Sequence, residues 1–299
     1  MKIRKFVGVW CILGLLFGTA GCGHLPWQNS GKLQPGSSQV TSSVEELDSQ
    51  PPQSSTAEDA VSSNPPASSE TPENSEAAAT APRTQQEALA PTRTALTTKV
   101  SVMLPASVPT DTGRYLTAAT NSQATGYKVS FYETGEPSEI NSQAASKGTL
   151  IATVEGTAYK DPASAQDNIS GYEKVDTSTS AYGDILELGH NIKAVEGAGA
   201  GHQQLTWNEG RWCIRVDSPT DPAYKNKEYP DREQLAKSVV AYLDAHMLPA
   251  PQKIGVISIN IWAWNYGATV EWQNHQTVYQ VSSKNPMAAL KVAVAAELK

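Results

Sequence analysis

Between Gln28 and Arg114 the chain has no Phe, Trp or Tyr, although all eleven tyrosines and five of the seven tryptophans lie from Tyr115 onward. A stretch without aromatics gives little apolar surface to offset ordering entropy, so the 299 residues do not read as one uniform domain. A basic surplus is also missing. The net charge is −7, and nucleic acid needs a basic footprint, so that partner class is excluded. Familiar catalytic signatures are absent: there is no Gly-x-Ser-x-Gly, no His-Glu-x-x-His and no Ser-x-x-Lys. The five histidines lack metal-ligand spacing, and no cofactor or metal is expected. Gly197-Ala198-Gly199-Ala200-Gly201 is not followed by the Lys-Ser/Thr of a phosphate loop and reads as a flexible surface loop.

The longest apolar run, Phe6 to Gly18, is about 13 residues and follows Lys2, Arg4 and Lys5. A membrane-spanning helix needs about 20 residues, so the run reads as the apolar part of a signal peptide over 1–21. Thr19-Ala20-Gly21-Cys22 resembles the lipobox of bacterial lipoproteins, which prefers Leu where Thr19 stands. The resemblance implies cleavage before Cys22 and acylation of its thiol, which would attach the chain to membrane lipid. Of three cysteines, Cys11 would leave with the signal and Cys22 would carry lipid. Cys213 is then the sole thiol of the mature chain, expected to be buried and inert between Trp212 and Ile214.

Residues 22–98 are rich in Ser, Pro, Thr, Gln, Ala and Glu, with nine acidic and three basic residues from 23 onward. Such a stretch is expected to form a disordered tether, spanning roughly 45–50 Å as a random coil. Residues 99–299 read as the globular domain. Val100, Val102 and Leu104 alternate, as do Tyr127, Val129 and Phe131, and Leu150–Val154 reads as a short strand. Asp161-Pro162 opens a short helix, and Ile185 to Val195 holds one more strand around Gly189. Leu205–Trp207 and Trp212–Val216 flank Asn208-Glu209-Gly210-Arg211 as a hairpin. Asp231 caps a helix carrying Leu235, Val239, Val240 and Leu243, with Gln234 at the capping-box position. Strands follow at Ile254–Trp264, Ala268–Trp272 and Gln276–Val281, and Asn285-Pro286 opens a helix holding Leu290, Val294 and Leu298. Hairpin-linked strands closed twice by a helix predict an α+β fold, an antiparallel sheet built from hairpins with helices packed on one face.

Asp184 and Glu187, or Glu209 beside Arg211, read as turn or edge charges rather than acid–base pairs, and nothing orients His190 and His202 toward each other. The aromatics carry more information. Ile257, Ile259 and Ile261 form the core face of their strand, and the opposite face ends in Trp262 and Trp264, with Tyr266 and Trp272 nearby. Two readings stand: helices cover these rings as second-face core, or the four residues form a ligand-binding face for sugar rings or a partner protein.

Val108-Pro109-Thr110, Tyr127–Tyr132, Leu188-Gly189-His190-Asn191-Ile192, Gly197–Gly201, Trp207–Trp212, Leu248-Pro249 and Tyr279-Gln280-Val281 together resemble an extracellular lipoprotein family of Gram-positive, spore-forming-type bacteria. The resemblance implies a lipid-anchored position on the outer side of the cell membrane and brings no assigned activity or catalytic residues. The expected function is a non-catalytic binding module for an envelope glycan or protein. The alternative is an envelope hydrolase or transferase whose residues meet only in the folded chain.

Overall fold

The computed structural model describes residues 81–180 and 183–298. The signal peptide, Cys22 and the tether as far as residue 80 lie outside the described residues. The folded part begins earlier than the composition suggested. Within the stretch read as tether, Gln85–Thr94 forms a helix, α1, because Thr84 and Glu87 make a reciprocal capping box and Ala88, Leu89 and Thr92 find cover. Gln85 fastens it: its side-chain amide donates to the Val108 carbonyl at 2.7 Å and accepts from the Val108 N–H at 3.0 Å.

Strand β1 (Met103–Pro105) is short, and β2 (Tyr115–Gln123), β3 (Gly126–Thr134) and β4 (Thr149–Ala158) form a meander. Helix α2 (Pro162–Asp167) starts at Asp161, whose carboxylate accepts from the Ser164 N–H at 2.7 Å. The segment expected to hold one strand around Gly189 is instead a hairpin, β5 (Asp184–Gly189) and β6 (Ile192–Gly199). Its turn is made by His190 and Asn191, both at positive φ. The hairpin expected around Gly210 is present as β7 (His202–Glu209) and β8 (Trp212–Pro219). Helix α3 (Arg232–Ala245) is capped by Asp231 and leads to β9 (Gly255–Ile261), β10 (Tyr266–Asn274) and β11 (Thr277–Ser283). Helix α4 (Pro286–Val294) ends before Leu298, which lies in β12 (Ala296–Leu298), paired with β1.

Ten strands form one sheet in the order β2-β3-β4-β11-β10-β9-β8-β7-β6-β5. Every neighbouring pair is antiparallel except β8 and β9, which α3 joins by a crossover. The fold is α+β, with an antiparallel-rich sheet and few helices. Helices α1, α3 and α4 share one core with Ile257, Ile259, Ile261, Val270, Trp272 and Val281. The expectation of helices on a single face needs one correction. Ala165 of α2 and Ile169 just beyond it pack on the opposite face, against Cys213, Val256 and Val278. Burial there pushes the Cys213 thiol up, away from the thiolate form.

Candidate functional site

The parallel pairing of β8 and β9 brings the C-terminal ends of both strands to one rim of the sheet. Antiparallel neighbours place the start of β7 there too. The Gly-rich segment turns at that rim. Gly197–Gly199 belong to β6, and Ala200 and Gly201, both at positive φ, make the tight turn into His202. It is therefore a hairpin end, not an open loop. After β8, the N–H of Thr220 donates to the Gly201 carbonyl at 2.9 Å, and Asp221 caps a short 3₁₀ turn over Pro222–Tyr224. That turn runs beside the residues leaving β9. The N–H of Ala263 donates to the Tyr224 carbonyl at 2.9 Å, and Lys225 bridges to Trp262.

Three separate chain segments thus deliver four rings in a row. Ring centroids lie 4.7 Å apart for His202–Trp262, 4.9 Å for Trp262–Trp264 and 5.1 Å for Trp264–Tyr224. The interplanar angles of 50°, 59° and 76° are the tilted and edge-to-face arrangements that aromatic quadrupoles favour. The inner end of the row is pinned. The indole N–H of Trp262 donates to Asp217 at 2.7 Å, and Nδ1 of His202 lies 3.0 Å from both oxygens of the same carboxylate. The backbone N–H of Trp262 donates to Asn260 at 3.0 Å. The outer end is open to water, with Trp264 64% and Tyr224 48% exposed. An exposed indole held by pinned neighbours offers a rigid ring face at little ordering cost to a ligand with C–H or ring surface.

Two of the four aromatic positions singled out in the sequence meet here. Trp262 and Trp264 join the row, while Tyr266 opens β10, half-buried, and lines a neighbouring cleft with Leu150 and Lys284. Trp272 is not a binding residue. It is 1% exposed, its ring 6.2 Å from Trp212 and 5.7 Å from Tyr279, because the β10 register turns it inward with Val270 toward the helical layer. His190 and His202 do not form a pair. His190 sits in the β5–β6 turn at the opposite rim and bonds Asp244 at 2.8 Å. Glu209 accepts from the Trp207 indole at 2.8 Å, with its carboxyl raised by burial, while Arg211 donates to the Gln252 carbonyl. Glu187 binds Lys193 at 2.8 Å, and Asp184 opens the edge strand β5.

Sequence reasoning missed Asp217, His202 as a ring partner, and Tyr224. The alternation Cys213, Arg215, Asp217 carried a signal for the first, since it sets Asp217 on the same face as Asn260 and Trp262. Nothing local marked Tyr224, whose place depends on the loop docking beside β9. Among the described residues no group of three or more His, Cys, Asp or Glu side chains is arranged to hold a metal ion. No protein-family model, curated protein or solved structure matches this chain.

Proposed function

We propose that the chain is a lipid-anchored extracellular lipoprotein whose domain binds an envelope component, a glycan or a protein, through the aromatic row. The anchor reading is supported by the charged, apolar and small-residue pattern ending at Cys22 and by the Ser/Pro-rich stretch after it. The observation that carries the binding reading is Trp264, exposed at the end of a row whose inner ring is pinned by Asp217. Trp264 and Tyr224 expose adjacent rings, a contiguous apolar patch of the kind contact surfaces use rather than a singly scattered side chain.

Co-sedimentation of the full chain with purified peptidoglycan and wall polymers, read together with tryptophan fluorescence, tests the binding reading. Saturable binding with a change in emission supports a glycan ligand. Its absence, together with crosslinking to one stoichiometric membrane partner, supports the protein form. Incorporation of labelled palmitate that disappears in Cys22→Ala tests the anchor.

A second reading, an envelope hydrolase or transferase, is favoured by one observation. Asp217 holds the His202 ring through Nδ1, leaving Nε2 as a candidate general base. Release of soluble fragments from peptidoglycan, lost in His202→Gln, would favour it over binding alone.

A further inference from the structure

The two loops that carry the exposed rings also wall a second concavity. Glu228 follows Tyr224 on one loop and Tyr266 follows Trp264 on the other, and both line a cleft of about 540 Å³. It lies at the same rim of the sheet, where β11 ends and β4 begins. Leu150, at the start of β4, is 47% exposed and shares the cleft's apolar lining with Met287 and Ala288 of α4. Internal hydrogen bonds fix this frame. The Ser283 hydroxyl donates to the Ile151 carbonyl and accepts from the Asn285 N–H at 3.1 Å. Asn285 in turn accepts from the Ala288 N–H at 3.0 Å, and Gln85 of α1 donates to the Thr110 hydroxyl at 3.3 Å. A hollow held open by its own bonds offers a ligand a surface that needs little ordering on binding.

Five charged side chains of both signs line the cleft. Lys284 and Lys291 come from the α4 side, and Asp111, Glu133 and Glu228 come from three other segments. None of the five makes an ion pair among the described residues. Glu133 accepts the Asp111 N–H at 3.0 Å, and neither lysine ammonium has a partner among the described residues. The frame thus gathers opposite charges around one hollow without letting them neutralise each other. An occupant has to answer both signs and the apolar lining together. A neutral glycan would leave all five charges unmatched, a polyanion would meet three carboxylates, and a polycation would meet two lysines. A short peptide with free ends carries an ammonium, a carboxylate and apolar side chains on one small frame. The volume of about 540 Å³ falls within the roughly 300–1,000 Å³ of small-ligand clefts.

We infer, building on the binding reading of the aromatic row, that this cleft holds a short zwitterionic peptide, either free or as the peptide part of the envelope ligand. Lys284 and Lys291 take its carboxylate, Asp111, Glu133 and Glu228 face its ammonium, and an apolar side chain covers Leu150. The test is calorimetric titration of the full chain in detergent with four probes. Two are the tripeptide alanyl-leucyl-alanine and its N-acetylated, C-amidated form. The other two are the peptides that an amidase releases from purified peptidoglycan and the glycan strands left behind. The free tripeptide binds, and blocking both its ends lowers affinity about tenfold or more. Lys284→Ala/Lys291→Ala also lowers affinity for the free tripeptide about tenfold. Both lysines are exposed and unpaired, so this variant keeps the parent's melting midpoint. Leu150→Ser weakens free and blocked tripeptides alike, which separates the apolar contact from the charged ones. Binding of the released wall peptides as well identifies the wall as the source, and binding of the tripeptide alone identifies free peptide. Peptidoglycan co-sedimentation of Trp264→Ala reports on the row and tripeptide affinity on the cleft, so the two readings fail separately. The inference is overturned if neither the tripeptide nor the released peptides bind, or if only the glycan strands do. It is equally overturned if the blocked tripeptide binds as tightly as the free one, or if the double lysine variant binds as the parent does.

Discussion

Asp217→Ala removes the single acceptor that two rings of the aromatic row share. Its carboxylate takes the Trp262 indole N–H at 2.7 Å and faces His202 Nδ1 at 3.0 Å, with only 13% of the side chain exposed. Hydrogen bonds to a charged acceptor contribute about 1.5–3 kcal/mol each. The two here share one group and so do not simply add. The expected loss is about 2–3 kcal/mol, and with about 2–4 °C for each kcal/mol in a domain of this size the midpoint falls by about 4–12 °C. Asp217→Asn keeps one acceptor oxygen and is expected to lose less. Trp264→Ala touches only the exposed end of the row, so its stability change stays within about 0.5 kcal/mol. Thermal unfolding followed by circular dichroism and tryptophan emission gives both numbers. An Asp217→Ala chain that melts with the parent would refute the claim that this carboxylate pins the row.

Three further outcomes follow from the same geometry. A chain beginning at residue 99 loses the burial of Leu89 and Ala88 and the two Gln85–Val108 hydrogen bonds. Relative to one beginning at residue 81, it should be less stable by about 3–5 kcal/mol in urea unfolding, and equal midpoints would contradict the place of α1 in the core. Burial raises the Glu271 carboxyl above its ordinary value. The folded chain then holds that proton more tightly than the unfolded one, so this group's contribution to stability declines as pH rises from the ordinary carboxylate value through the raised one. Glu271→Gln should remove that slope and stabilise the chain at neutral pH, which paired melts at pH 5 and 7 would reveal. A Cβ on Gly255 would lie 2.6 Å from the Trp212 ring, which packs on Trp272. Gly255→Ala is therefore expected to cost about 1–3 kcal/mol and to alter the near-ultraviolet spectrum; an unchanged spectrum would show that the rings can yield.

Where hydropathy alternates strongly, local sequence is enough to read the fold. Ile257, Ile259 and Ile261 face the core as their spacing says, and the hairpin around Gly210 and the helix behind Asp231 are where caps and turn residues put them. Strand β2 escaped notice because Ala118, Ala119 and Thr120 give a weak alternation, and its pairing with β3 supplies the order. The β5–β6 turn uses His190 and Asn191 at positive φ, residues with a weaker turn signal than glycine. Helix α1 carried a readable capping box in Thr84 and Glu87, but Pro91 and the surrounding polar composition hid it. Trp272 and Trp262 look alike in a sequence; register with Tyr279 and Val270 sends one inward, and the end of β9 leaves the other at the rim. The aromatic row was legible only in its two tryptophans, since His202 and Tyr224 arrive from elsewhere in the chain through tertiary docking.

The central claim is that the exposed end of the aromatic row holds the ligand. The most direct measurement compares peptidoglycan co-sedimentation of the parent full chain with Trp264→Ala and Tyr224→Ala, each checked by its melting midpoint. Saturable binding in the parent that is lost in both variants, with midpoints within about 2 °C of the parent, is the expected result, because these side chains are exposed and add little to the core. Equal binding by all three chains would place the ligand elsewhere and remove the row from the account.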